Sequence, residues 1–142
     1  MVIIAAVDQS DRTAKAIAEA ERLSTAFDDT VHAVHALTKS DMIKMEGVHA
    51  TRPDVQISDE EVRETATDVA ASAVAEFDIS AEAVGLMGDP KTRIVEYAAE
   101  QDARYIVIAG RKRSPAGKTV FGSVTQSIIL NAECPTVVSV EQ

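Results

Sequence analysis

Five short apolar runs recur along the chain, and segments of helical periodicity fill the intervals between them. The runs are "VIIAAV" (Val2–Val7), "TVHAVHAL" (Thr30–Leu37), "AEAVGLM" (Ala81–Met87), "RYIVIAG" (Arg104–Gly110) and "PTVVSV" (Pro135–Val140). Their β-branched, continuously apolar character suits strands covered on both faces, as in a parallel sheet. Between the first two, Ala16, Ile17, Ala20, Leu23 and Phe27 repeat at helical spacing from Asp11 onward, and Ser10 or Asp11 is the expected cap. "SDEE" (Ser58–Glu61) is a capping box for the next helix, with Val62, Ala66, Val69, Ala73 and Phe77 facing inward. "GDP" (Gly88–Pro90) ends the third strand and opens a helix running to Gln101, and "GSVTQSIILNA" reads as the helix before the last strand. The polar stretch from Thr38 to Ile57 is long for a connection, with helical character expected around Asp41–Glu46.

Strands alternating with helices require right-handed crossovers and helices on both faces of the sheet. The fold expected is a doubly wound α/β domain spanning residues 1–142, with a five-stranded parallel sheet in the order 3-2-1-4-5. Aromatics make up only 4% of the chain and tryptophan is absent, so Ala, Val, Ile and Leu must build the core. A net charge of −9 opposes nucleic acid and anionic membrane surfaces. No stretch approaches the ~18 apolar residues of a membrane span, and the apolar start lacks the basic lead of a signal peptide. One cysteine, Cys134, cannot form an internal disulfide, and a cytoplasmic location is expected.

In such sheets ligands bind beyond the carboxyl ends of the strands, where strand order reverses. Asp8 ends the first strand and Gly110 the fourth, so the stretch "GRKRSPAGKTVFGSVTQ" (Gly110–Gln126) begins at the expected site. Its "GKT" does not complete a P-loop, because the position five before Gly117 is Lys112. No G-x-G-x-x-G occurs, which argues against a dinucleotide dehydrogenase. What remains is a loop that leads into a helix start at Gly122–Ser123. Gly110 is expected to turn the chain off the strand and Gly122 to permit close approach of a ligand. The N–H groups of Ser123, Val124 and Thr125, aided by the helix dipole, would face an anion. Arg111, Lys112, Arg113 and Lys118 reverse the chain's acidic character locally.

These residues resemble the universal stress protein family along essentially the whole chain. The ATP-binding branch of that family carries G-x2-G-x9-G-[ST] between the fourth strand and the following helix. Here Gly110 matches the first glycine and Gly122–Ser123 the final pair, continued by "SVTQ" and "CPTVVSV". "VDQS" is similar to the family's first strand end, and "GDP" followed by Ile94 to its G-x-P-x-x-x-I. Arg113 replaces the second glycine, the spacer to Gly122 is one residue short, and Ala6 stands where proline is common; Gly117 is the candidate source of flexibility.

The resemblance implies ATP, with or without Mg²⁺, held by Ala6, Val7, Asp8, Ala36, Ala109, Gly110, Arg111, Arg113, Gly117, Gly122, Ser123 and Val124. Asp8 would contact the nucleotide or lie near its Mg²⁺. It further implies a homodimer paired through Pro135–Val140 and a regulatory protein partner. A homodimeric scaffold of the same fold that binds no nucleotide is the alternative, favoured by Arg113 and the short spacer.

No set of nucleophile, base and oxyanion donor emerges, so catalysis is expected to reach at most slow ATP hydrolysis or autophosphorylation at Ser114, Thr119 or Ser123. His32 and His35 fall on opposite faces of a strand and cannot share a metal, His49 stands alone, and no protein-held metal is expected. Cys134 reads as a packed small residue, and Asp11 and Asp89 as helix-start carboxylates.

Overall fold

The computed structural model describes residues 1–46, 57–110 and 121–140. In chain order the elements are β1 (Val2–Ala6), α1 (Thr13–Phe27), β2 (Thr30–Leu37), α2 (Lys39–Glu46), α3 (Asp59–Glu76), β3 (Ala81–Met87), α4 (Pro90–Glu100), β4 (Tyr105–Ala109), α5 (Ser123–Asn131) and β5 (Thr136–Ser139). The five strands form one sheet in the order β3-β2-β1-β4-β5, every pairing parallel. This is the architecture expected from the sequence, with strand ends that differ by a residue or so.

Two apolar layers sandwich the sheet. On one face Ile3, Ala5, Val31, Ala33 and Val107 pack under α1 (Ala16, Ile17, Ala20) and α3 (Ala70, Ala73). On the other, Ile4, Val34, Leu86, Ile106 and Ile108 pack under α4 (Ile94, Ala98) and α5 (Ile128). The alternation of neighbours between the two faces follows from the two-residue period of a strand. Ile3, Ile4, Ile17, Ile106 and Ile128 lie below 2% exposure, and burying each contributes about 1.5–3 kcal/mol. A smaller cluster of Leu37, Met42, Val62 and Ala66 seats α2 against α3.

Local chemistry sets the helix boundaries. The Ser58 hydroxyl accepts from Glu61 N at 3.1 Å, which caps α3, and the Asp89 carboxylate accepts from Lys91 N at 3.0 Å at the start of α4. For α1 the expectation fails: its N-cap is Arg12, with no side-chain bond, and neither Ser10 nor Asp11 caps it. The carbonyls of Ser10, Asp11 and Arg12 instead accept the N–H groups of Thr13, Ala14 and Lys15 in tight turns. Phe27, the last apolar residue of the α1 repeat, is 42% exposed; its ring lies 5.9 Å from that of Tyr105 and beneath the Arg104 guanidinium.

β3 is less apolar because it is a sheet edge. Two glycines there answer to space and conformation. A Cβ at Gly85 would lie 2.2 Å from Thr67 N and 2.5 Å from Arg63 O, so α3 rests directly on the strand backbone. Gly88, with φ of +133°, takes the chain off β3 in a conformation that side chains rarely adopt. Among the described residues, no helix is long and apolar enough to cross a membrane.

Candidate functional site

The carboxyl ends of β1 and β4, adjacent in the sheet, open into a cleft of about 230 Å³. Its floor and sides are apolar: Ala6, Val7, Ala36, Ile94, Ile108, Ala109 and Val124. Asp8, Arg12, Thr13, His35, Ser123 and Thr125 supply polar groups around them. The volume lies just below the ~300–1,000 Å³ common for ligand clefts, and apolar walls with a few converging polar groups are the usual makeup of such sites.

Asp8 leaves β1 and is immediately bound by the turn that follows. Its Oδ1 accepts from Ser10 N at 2.8 Å and faces the hydroxyls of Ser10 and Thr13. Thr13 Oγ1 also accepts from Asp8 N at 2.9 Å, so one buried hydroxyl ties together the backbone and the carboxylate. Partial burial pushes the Asp8 pKa upward, but the hydrogen bonds from Ser10 and Thr13, with the nearby positive charge of Arg12, outweigh it and hold the carboxyl below the usual range.

His35 Nδ1 lies 2.8 Å from Val7 O, while Val7 N donates to Val34 O at 3.0 Å. Both backbone polar groups of Val7 are therefore satisfied at the cleft wall, and the imidazole ring is locked in place.

Two helix N-termini meet the cleft, and they differ chemically. The first N–H groups of α1 are consumed in its own turns. In α5 the first intrahelical bond runs from Gln126 N to Gly122 O at 3.0 Å. The N–H groups of Ser123, Val124 and Thr125 precede it, in the position from which helix starts bind anions. Thr125 is buried, with its hydroxyl 3.4 Å from Ala109 O, which fixes α5 to the end of β4.

Of the residues expected at the site, Ala6, Val7, Asp8, Ala36, Ala109, Gly122, Ser123 and Val124 line this one cleft. Arg111, Arg113 and Gly117 lie outside the described residues, as do Lys112, Ser114, Lys118 and Thr119. Gly110 is not part of the lining. Its N–H donates to Ser139 O at 2.8 Å, continuing the β4–β5 ladder. A Cβ there would sit 3.3 Å from the Phe121 ring, so its small size serves packing. Gly122, with φ −71° and ψ 168°, adopts extended backbone open to any residue. Ser123 is the first residue after the N-cap.

The structure adds Arg12, Thr13, His35, Pro90, Ile94 and Ile108 to the lining, beside Thr125, whose N–H the sequence already places at the helix start. Pro90 and Ile94 carried a signal in the G-D-P-x-x-x-I spacing. Thr13, five residues after Asp8, is placed by a turn that no periodicity marks. Among the described residues, no group of three or more His, Cys, Asp or Glu side chains is disposed to hold a metal ion.

The model of the universal stress protein family matches residues 1–139. A universal stress protein of Methanocaldococcus jannaschii is 26% identical over 136 residues, covering 96% of this chain and 79% of its own. The structure of a universal stress protein from Archaeoglobus fulgidus is similar at a TM-score of 0.69 and 29% identity, covering 97% of this chain and 96% of that one. A structure of the universal stress protein from the same organism in complex with dAMP has a TM-score of 0.64 at 24% identity, covering 97% and 95%.

Proposed function

The chain belongs to the universal stress protein family, and from that membership we propose that it is an adenine-nucleotide-binding regulatory module whose ligand is ATP. The observation that carries this reading is the convergence of Asp8 and the α5 start on one apolar cleft at the β1/β4 boundary. The apolar side chains of Ala6, Ala36, Ile94 and Ile108 in the lining suit a base, with the backbone of Ala36 and Ala109 available at its edge. Asp8 provides an acceptor for ribose hydroxyls and, when Mg²⁺ accompanies the nucleotide, a carboxylate near the ion. The N–H groups of Ser123, Val124 and Thr125 meet the phosphates. The dAMP complex of the Archaeoglobus fulgidus relative supports an adenine nucleotide as the ligand class.

The same reading makes the protein a cytoplasmic homodimer whose nucleotide state governs contact with a regulatory partner. β5 lies at the sheet edge, where unpaired backbone groups favour strand addition across a two-fold axis. Leu130, on the helix just before it, is 78% exposed.

The test is to denature freshly purified protein and identify the small molecules released, in parallel with Gly122→Val. Residue 122 tolerates a side chain conformationally, so this variant obstructs phosphate approach without straining the turn. Stoichiometric ATP from the native protein, lost in the variant, is the expected result. A ligand present at a hundred times its Kd raises native stability by about 2.7 kcal/mol, so added Mg-ATP should also raise the melting midpoint. Absence of both effects would overturn the reading.

A further inference from the structure

Five arginines fall among the described residues, and four of them are already committed. Arg22 pairs with Glu19, Arg63 with Glu60, Arg93 with Glu96 and Arg104 with Asp29. Arg12 alone has no carboxylate within ion-pairing distance among the described residues, although the chain carries a net charge of −9. It is half-buried, and it is the one permanent cation among the described residues lining the cleft. Asp8, on the same wall, has its Oδ1 occupied by Ser10 and Thr13. The turn therefore holds the acid still and leaves the neighbouring guanidinium close enough to act on Asp8 through its charge but beyond ion-pairing distance.

We propose that Arg12 is a specificity-determining residue of the cleft, contacting an anionic group of the ligand and so setting its preference for phosphorylated over uncharged nucleosides. This rests on the nucleotide-binding reading given above. The α5 start already offers N–H groups to one phosphate. A guanidinium on the Asp8 wall supplies a second, independent anion contact, in the fork geometry that suits phosphate oxygens. A partly buried cation outside ion-pairing distance of every described carboxylate gains more from a ligand anion than a solvated surface arginine does. Charge at this position thus separates ATP from adenosine, while the apolar slot binds both alike.

The experiment compares the native protein with Arg12→Gln by calorimetry, using ATP, AMP and adenosine, with tripolyphosphate alone as a further arm. Adenosine affinity serves as the check that the variant's cleft is folded. The expected result is an adenosine Kd within about twofold of native and an ATP-to-adenosine affinity ratio reduced about tenfold, the size of one charge-assisted hydrogen bond. An unchanged ratio overturns the inference, as does equal weakening of every ligand or tight binding of tripolyphosphate that Arg12→Gln leaves untouched. A native protein that binds none of the nucleosides or nucleotides overturns the underlying reading as well. Native binding with an unchanged ratio overturns only the role of Arg12.

Discussion

His32 and His35, both on β2, turn to opposite faces of the sheet and meet partners that demand opposite tautomers. His35 Nδ1 faces Val7 O at 2.8 Å, and a carbonyl can only accept, so the proton sits on Nδ1. His32 Nε2 faces Glu82 Oε2 at 3.2 Å, so the proton sits on Nε2, and Nδ1 accepts from the Tyr97 hydroxyl at 2.7 Å. Long-range nitrogen–proton NMR, assigned by residue, is expected to show the Nδ1–H tautomer for neutral His35 and the Nε2–H tautomer for neutral His32. An Nε2–H tautomer at His35 would rule out its bond to Val7 O. Burial and the charges of Glu82 and Glu100 raise the Tyr97 pKa, so its hydroxyl remains a donor well above neutrality.

The contact between Gly85 and α3 predicts a steep penalty for the smallest side chain. In Gly85→Ala the methyl meets backbone atoms at 2.2 and 2.5 Å, and a helix backbone cannot step aside as a side chain can. Overpacking typically costs about 1–3 kcal/mol, and this variant is expected at or beyond the top of that range in urea unfolding. Gly110→Ala is the control: its neighbour at 3.3 Å is the Phe121 ring, which can shift, so a loss of about 1 kcal/mol or less is expected. Equal losses would contradict the contact geometry.

Thr13→Val keeps the volume at a buried position and removes the hydroxyl that binds both Asp8 N and the Asp8 carboxylate. Leaving that backbone N–H without its partner costs about 1–3 kcal/mol. Thr13→Ser, which keeps the hydroxyl, should retain most of the stability. Denaturant midpoints of the two variants separate the hydroxyl from the methyl.

Acid stability follows from two carboxylates. Hydrogen bonding and charge from Arg104 lower the Asp29 pKa. At Asp8, partial burial acts upward and is outweighed by the bonds from Ser10 and Thr13. Both folded-state values lie below the unfolded value near 3.9, so in acid the unfolded chain binds more protons. The stabilisation is fully present above that unfolded value and is lost as pH falls through the folded ones. Midpoints measured between pH 7 and pH 3 should fall more steeply for the native protein than for Asp29→Asn. Parallel curves would remove Asp29 from the account.

Strand and helix order, the sheet order and the Ser58 and Asp89 caps were legible because each depends on residues a few positions apart. The features that were not legible depend on meetings between distant segments. Gly85 reads as an ordinary strand residue until α3 is laid across it, and the weak apolarity of β3 makes sense only once the strand lies at an edge. The helix start at Arg12 escaped because the nearby Ser10 spends its side chain on Asp8 instead of capping. His35 and Arg12 belong to no motif; only the closing of β1 onto β2 and β4 brings them to the wall of the cleft.

That wall is assembled from residues 6–8, 12–13, 35–36, 90, 94, 108–109 and 122–125, and Ile3 pairs directly with Tyr105. On the ribosome, a growing chain has its first strand long before the neighbour that completes the binding edge. The helix start on its far side is made only after β4. If the cleft takes the nucleotide proposed for it, capture is a late event in the life of each molecule, open only to chains that have completed α5.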